Sequence, residues 1–228
     1  MRLRAVVFDF DGVIIDTEST VLASWREEYE RHGHELDLVT WLDLVGTETD
    51  LWAPYDVLNA LVGPGFDRAS CHRRRHQREQ ELVLELSVRA GVLEWLDEAA
   101  RLGLPTAIAS SSPHTWVEPH LARLGLTEAF ATVCCREDVA SAKPNPDLYL
   151  LACARLGVRP AEAVAVEDSP HGVHAAKAAG LFAVAVPNPV TEGQPFGQAD
   201  IRLASLADAT LADLDRRLPH QDPAPDSP

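Results

Sequence analysis

Four short stretches carry the residue types that could do chemistry. They are Asp9-Phe10-Asp11-Gly12, Ser110-Ser111-Ser112-Pro113, Lys143-Pro144-Asn145-Pro146 and Glu167-Asp168-Ser169-Pro170. Brought together, Asp9, Asp11, Glu167 and Asp168 would set up to four carboxylates near one another. Like charges at that density raise one another's pKa unless a cation neutralises them. Hard oxygen donors suit Mg²⁺, which proteins usually share with a phosphate of the substrate. Such an ion would also offset the repulsion between an anionic substrate and a carboxylate nucleophile. Taken singly, Asp11-Gly12 reads as a turn, Glu167-Asp168 as a helix cap and Lys143 as a surface lysine. Their joint occurrence is what asks for a site.

The elements that must position these stretches are legible around them. Apolar β-type runs cover Arg4–Phe8, Leu104–Ala109, Ala131–Cys135, Ala163–Val166 and Phe182–Val186. Each is apolar almost throughout, the pattern of parallel strands covered on both faces. Residues 92–102, 113–124, 147–156 and 170–179 read as helices, with Gly103, Gly125, Gly157 and Gly180 where they should stop. Strand–helix alternation of this kind predicts a doubly wound, Rossmann-like α/β fold with a parallel sheet. In open α/β sheets ligands bind beyond the carboxyl ends of the strands. The four stretches lie just after the first four runs, so acids, hydroxyls and one lysine converge on one edge. Ser112-Pro113, Asn145-Pro146 and Ser169-Pro170 each read as an N-cap followed by proline at the first helical position. Three helix N-termini would then face that edge, where free N–H groups attract anions.

The stretch from 17 to 88 breaks the alternation. Val21, Trp25 and Tyr29 recur at helical spacing, as do Leu51, Tyr55, Leu58 and Leu61-Val62. This predicts a helical bundle cap at 17–88 inserted into an α/β core formed by 1–16 and 89–218. The tail 219–228, rich in Pro and Asp, reads as disordered. The run His72-Arg73-Arg74-Arg75-His76 with Arg78 reads as a solvated helix face, and Trp41, Trp52 and Tyr55 as packing within the cap.

Composition narrows the partners. Of 228 residues, 46% are apolar, and 35 acids against 20 bases give a formal charge of −15. That sign argues against a nucleic-acid face and against anionic membrane surfaces. Charges interrupt the N-terminal apolar run, unlike a signal peptide, and no apolar stretch approaches the ~20 residues of a spanning helix. Cys71, Cys134, Cys135 and Cys153 form no metal-binding pattern and read as reduced, buried thiols of a cytoplasmic protein. A monomer is the default expectation.

At these residues the sequence resembles the haloacid dehalogenase-like superfamily, and within it the branch of small-cap phosphatases and β-phosphoglucomutases. The resemblance rests on four motifs in order, VVFDFDGVIIDTE, IASSS, KPNPDLYL and AVEDSPHGVHAA, spanning Val6 to Ala176. It implies a Mg²⁺-dependent phosphatase acting on a small phosphorylated metabolite, a sugar phosphate by preference. Asp9 would be the nucleophile that forms an aspartyl phosphate. Asp11 would protonate the leaving oxygen, then activate water, and lend its backbone carbonyl to the metal. Gly12, Ser110 and Ser111 would hold the phosphoryl group, and Lys143 would neutralise its charge. Glu167 and Asp168 would complete the Mg²⁺ site with Asp9. An acid at position 11 excludes a haloacid dehalogenase. Mutases of the branch grip a second phosphate with an arginine in the cap. Here Val45-Gly46-Thr47-Glu48-Thr49-Asp50 places Thr49 at that position, and Val21 stands near the place of their histidine. Both departures favour hydrolysis over the alternative, a phosphohexomutase. A non-catalytic binding protein, the remote alternative, would lack one of Asp9, Asp11, Lys143 or Asp168, and all four are present.

Overall fold

The computed structural model describes residues 2–45 and 53–218. Strands β1 (Ala5–Phe8), β2 (Thr106–Ala109), β3 (Thr132–Cys134), β4 (Ala163–Glu167), β5 (Phe182–Ala185) and β6 (Ile201–Arg202) form one sheet in the order β3-β2-β1-β4-β5-β6. Every pairing is parallel. The doubly wound α/β reading holds, with β6 as an addition. That strand has two residues and no apolar run to announce it.

Between β1 and β2 the chain forms α1 (Thr17–Arg31), α2 (Leu38–Val45), α3 (Ala53–Val62), α4 (Arg68–Glu85) and α5 (Val92–Leu102). The later helices are α6 (His114–Arg123), α7 (Asp147–Leu156), α8 (Pro170–Ala179) and α9 (Leu211–Arg217). Three of the expected helix stops are left-handed glycines at the C-caps of α5, α7 and α8.

The sheet's two faces differ in side-chain size. Val6, Phe8, Ile108, Val164, Val166 and Val184 point to the layer of α5, α6 and α9, where Trp95, Val117, Leu121 and Leu214 meet them. The opposite face is nearly all alanine: Ala5, Ala107, Ala109, Ala163, Ala165, Ala183 and Ala185, with Val7. These apolar runs therefore do alternate, by size rather than polarity. Small side chains let helices approach a sheet closely, and the helices on this face are α7 and α8. Leu148, Tyr149 and Cys153 of α7 and Val173 and Ala176 of α8 fill that layer with no exposure beyond about 1%. Helix α7 also follows the loop that bears Lys143, so the close approach brings the lysine to the sheet edge.

The inserted helices have their own core. Leu22, Trp25, Tyr29, Leu36, Trp41, Tyr55, Leu58 and Cys71 pack together, joined by Val190 from the loop after β5. Trp25 meets Tyr55 edge-on at 4.4 Å between centroids. Trp41 and Tyr55 are thus packing residues; Trp52 lies outside the described residues. The basic run of α4 is more than a solvated face. Arg74 forks onto Glu28 of α1 at 2.7 and 3.0 Å, and Arg78 reaches Glu27 at 3.0 Å. These pairs, from two arginines four residues apart and so on one side of the helix, stitch α4 to α1. The 46–50 stretch and the 219–228 tail also lie outside the described residues.

Candidate active site

Strand β1 lies between β2 and β4. The chain leaves it in one direction through β2 and β3 and resumes on its other side with β4. The crevice at this reversal is where an open α/β sheet offers room for a ligand. Asp9 is the first residue beyond β1 and Glu167 the last of β4, and the Asp9 amide donates to the Val166 carbonyl at 2.9 Å. One carboxylate oxygen each from Asp9, Glu167 and Asp168 lie within 4.8 Å of one another, and all three residues are buried.

Lys143 is the counter-charge. Its Nζ stands 2.9 Å from Asp9 Oδ1 and 2.6 Å from Glu167 Oε1. Tyr149, in the first turn of α7 and on its buried face, donates its hydroxyl to the same Glu167 oxygen at 2.5 Å. The lysine also lies 5.0 Å over the Tyr149 ring. Burial alone would depress the ammonium; the carboxylates of Asp9 and Glu167 outweigh it and hold the group charged, above its ordinary value. One lysine against three buried carboxylates leaves net negative charge. Burial, then Glu167, pushes the Asp9 carboxyl well up; burial, then Asp9, does the same to Asp168. Three hard oxygen donors in one buried place, with ionisation of Asp9 and Asp168 this unfavourable, fit a divalent cation such as Mg²⁺.

Gly12 and Asn188 fix Asp168. The glycine has φ +74°, and a Cβ built on it would fall 1.9 Å from Asp168 Oδ2 and 2.9 Å from Asn188 Nδ2. Only a residue without a side chain fits both the backbone and the space. The Asn188 amide donates to Asp168 Oδ2 at 2.6 Å, while its carbonyl oxygen accepts from the amides of Val190 and Thr191. Arg89, on the chain's return from the inserted helices, donates to the carbonyls of Gly12, Val186 and Pro187. It ties that return segment to the turn after β1 and to the end of β5. On α8, Gly172 makes room for Glu167, whose Oε2 would lie 1.9 Å from an added Cβ.

The fourth acid behaves differently. The Asp11 carboxylate stands outside the group of three. Its Oδ2 accepts from Ser112 Oγ at 2.6 Å and faces Ser110 Oγ at 3.4 Å; its Oδ1 accepts from Trp116 Nε1 at 2.9 Å. The expected convergence of four side-chain carboxylates is therefore three plus one. Ser110 is buried and accepts from the Ser112 amide at 3.0 Å, whereas Ser111 is exposed at the same edge. Half-buried Glu18, at the start of α1, has its carboxyl pushed up to about 7 by burial, then by Asp11, Asp16 and Glu79.

The sequence profile of the haloacid dehalogenase-like hydrolases matches residues 3–180. The chain belongs to this family. Among its relatives, YhcW of Bacillus subtilis (strain 168), a protein assigned as a phosphatase, is 40% identical over 92% of this chain and 95% of its own. Hexitol phosphatase B of Escherichia coli (strain K12) is 34% identical over 93% of this chain and 97% of its own. Among solved structures, CbbY of Rhodobacter sphaeroides, crystallised with phosphate, superposes with a TM-score of 0.73 at 31% identity, covering 93% of this chain and 99% of that one. A variant of that protein was crystallised with xylulose-(1,5)bisphosphate.

In this haloacid dehalogenase-like hydrolase two of the three expected helix caps differ from expectation. Ser169 caps α8 through the Gly172 amide at 3.1 Å, with Pro170 following. Pro113 and Pro146 instead occupy the cap positions of α6 and α7, with no side-chain cap bond. Ser112 is diverted to Asp11, and the Asn145 amide turns back to the Ala142 carbonyl. Asn188, Tyr149, Arg89 and Trp116 were not singled out by the sequence. Tyr149 lies inside the KPNPDLYL stretch, and Val186-Pro187-Asn188-Pro189 follows the fifth β run as the other stretches follow theirs, so both carried a signal of position. Trp116 and Arg89 carried none.

Proposed function

We propose that this haloacid dehalogenase-like phosphatase hydrolyses the phosphate monoester of a small polyhydroxylated metabolite, a sugar phosphate or sugar-alcohol phosphate, through a phosphoryl group carried on Asp9. One observation carries the reading: a buried lysine 2.9 Å from Asp9 at the sheet's switch point, beside two further buried carboxylates. A carboxylate with a lysine on one oxygen, and no hydrogen bond to the other among the described residues, is suited to attack phosphorus. In the first step the Asp9 oxygen–phosphorus bond forms, the ester oxygen–phosphorus bond breaks, and the leaving alkoxide takes a proton from Asp11. In the second, the Asp11 carboxylate takes a proton from water as that water attacks phosphorus, and Asp9 is released. Ser110 Oγ and the Ser111 amide hold the phosphoryl oxygens, and Lys143 offsets charge that grows on them. The approach of Gly12 to Asp168 keeps that edge free of a side chain.

Asp9, Glu167, Asp168 and the Asp11 backbone carbonyl would hold Mg²⁺. When bound, the ion supplies positive charge that lets an anionic ester meet an anionic nucleophile. The helices of 17–88 would act as a cap over this edge, hinged where Arg89 grips the Gly12, Val186 and Pro187 carbonyls, excluding water and choosing the substrate. The sugar and hexitol phosphates of the relatives' names support the substrate class. So does the absence from the sequence of a cap arginine at Thr49 to hold a second phosphate, which disfavours the mutase alternative.

The test is phosphate release from a panel of phosphorylated metabolites with Mg²⁺, beside Asp9→Asn. The panel includes hexose 1- and 6-phosphates, hexitol phosphates and β-glucose 1-phosphate, with glucose 6-phosphate followed separately. The reading expects Mg²⁺-dependent release that disappears in Asp9→Asn. Interconversion of sugar phosphates without net release would replace it with a mutase.

A further inference from the structure

We infer that Trp116 is a positioning residue for proton transfer: its indole N–H fixes the carboxylate of Asp11 on the Ser110–Ser112 side of the site. The inference rests on the hydrolytic reading above, in which Asp11 gives and takes the proton.

The bond is direct, 2.9 Å from Nε1 to Oδ1. It complements the Ser112 bond to Oδ2 at 2.6 Å, so each carboxylate oxygen has its own donor. The two donors come from different places, one from the loop after β2 and one from α6, and a two-point hold of this kind sets both dihedrals of an aspartate. The indole is itself held. Its ring meets His120 at 4.6 Å between centroids, nearly edge-on, and His120 in turn stacks with Phe10 at 6.4 Å. Phe10 is the residue between Asp9 and Asp11, so the chain Phe10–His120–Trp116–Asp11 closes on itself. The Trp116 amide donates to Pro113 O at 2.9 Å, anchoring the same turn of α6.

The choice of donor matters. An indole N–H can donate but cannot accept. It therefore holds the carboxylate without competing for the proton that Asp11 must deliver, as a second carboxyl would. A half-buried tryptophan on a helix surface needs no carboxylate for packing; here its polar edge is turned to one of the reacting groups. Proton transfer by a placed side chain contributes roughly 10²–10⁴-fold, and small misplacements forfeit much of that.

The experiment uses Trp116→Phe, which keeps a ring on His120 and removes the N–H, with Trp116→His as a second variant that restores a ring N–H. Two substrates separate the steps: the best alkyl phosphate from the panel, whose leaving group needs a proton, and p-nitrophenyl phosphate, whose leaving group needs none. For Trp116→Phe, kcat on the alkyl phosphate should fall roughly tenfold with KM within about twofold. The p-nitrophenolate burst that reports Asp9 phosphorylation should stay within about twofold, while the steady rate after it falls, and Trp116→His should recover part of the loss. An alkyl kcat unchanged in Trp116→Phe, or a burst lost in equal measure, would overturn the inference. A second readout does not depend on turnover. In wild-type protein the Trp116 indole proton should exchange with solvent slowly, and Asp11→Ala should speed it roughly tenfold or more. Equal exchange in the two proteins overturns the inference whatever the enzyme acts on, whereas wild-type protein that releases no phosphate while showing the protection counts against the hydrolytic reading alone.

Discussion

Replacing Gly12 by alanine tests the geometry of the site at one atom. Two costs can be worked from the structure. The residue has φ +74°, and an L side chain in that region costs about 1–2 kcal/mol. The new Cβ would also stand 1.9 Å from Asp168 Oδ2 and 2.9 Å from Asn188 Nδ2, so the carboxylate must move and its 2.6 Å bond from Asn188 must break. A hydrogen bond to a charged group contributes about 1.5–3 kcal/mol. The sum is about 3–5 kcal/mol. Gly125→Ala is the control, since Gly125 has φ +72° with nothing within 4 Å of its Cβ position and should show the backbone cost alone. Urea unfolding of both variants in EDTA gives the stability difference, and Mg²⁺ titration of phosphate release gives the effect on the site. Gly12→Ala should lose about 2 kcal/mol or more beyond Gly125→Ala, from the displaced bond, and should need at least about tenfold more Mg²⁺. Equal destabilisation of the two variants, with wild-type Mg²⁺ dependence, would refute the close approach to Asp168.

Other perturbations address the charges and the buried glycine. Asp9, Asp168 and Glu18 have folded-state pKa values raised above their ordinary ones, so the folded protein binds more protons than the unfolded chain above about pH 4. Stability in EDTA should therefore fall as pH rises from 5 to 8, by at most about 3 kcal/mol from Glu18 alone as it ionises near 7, and saturating Mg²⁺ should flatten the slope; thermal melts at several pH values read both. Gly172→Ala gains helix propensity yet pushes on Glu167, so the half-activating Mg²⁺ concentration should rise by about tenfold without loss of the helical circular dichroism. Lys143→Met leaves three buried acids without their cation; kcat should fall about 10²–10³-fold, and chemical unfolding at pH 8 should show a loss of about 3–5 kcal/mol that shrinks at pH 5.

The fold was legible because strand and helix signals agreed along the chain. The five apolar runs are β1–β5, and α5, α7 and α8 fall on the expected residues. What escaped was the second layer of the site. That the alternation is one of size, valine and phenylalanine against alanine, is visible only once the strands' two faces are assigned. Asp9, Lys143, Glu167 and Asp168 could be gathered from the sequence because each directly follows or ends a strand, or sits in the loop after one. Asn188 occupies the same kind of position after β5 and could have been read. Trp116 and Arg89 could not, since their roles depend on which way an indole and a guanidinium turn, and neither residue type is chemically marked. The four carboxylates divide into three and one for the same reason: spacing places the Asp11 backbone, whereas Ser112 and Trp116 place its side chain.

The central claim is that the phosphoryl group passes through Asp9. Acid-quenching the enzyme during turnover of a substrate from the panel, reducing the trapped acyl phosphate with borohydride and sequencing the peptides by mass spectrometry tests it directly. Homoserine is expected at position 9 in wild-type protein and none in Asp9→Asn. Steady turnover with unmodified Asp9, or modification at another carboxylate, would contradict it.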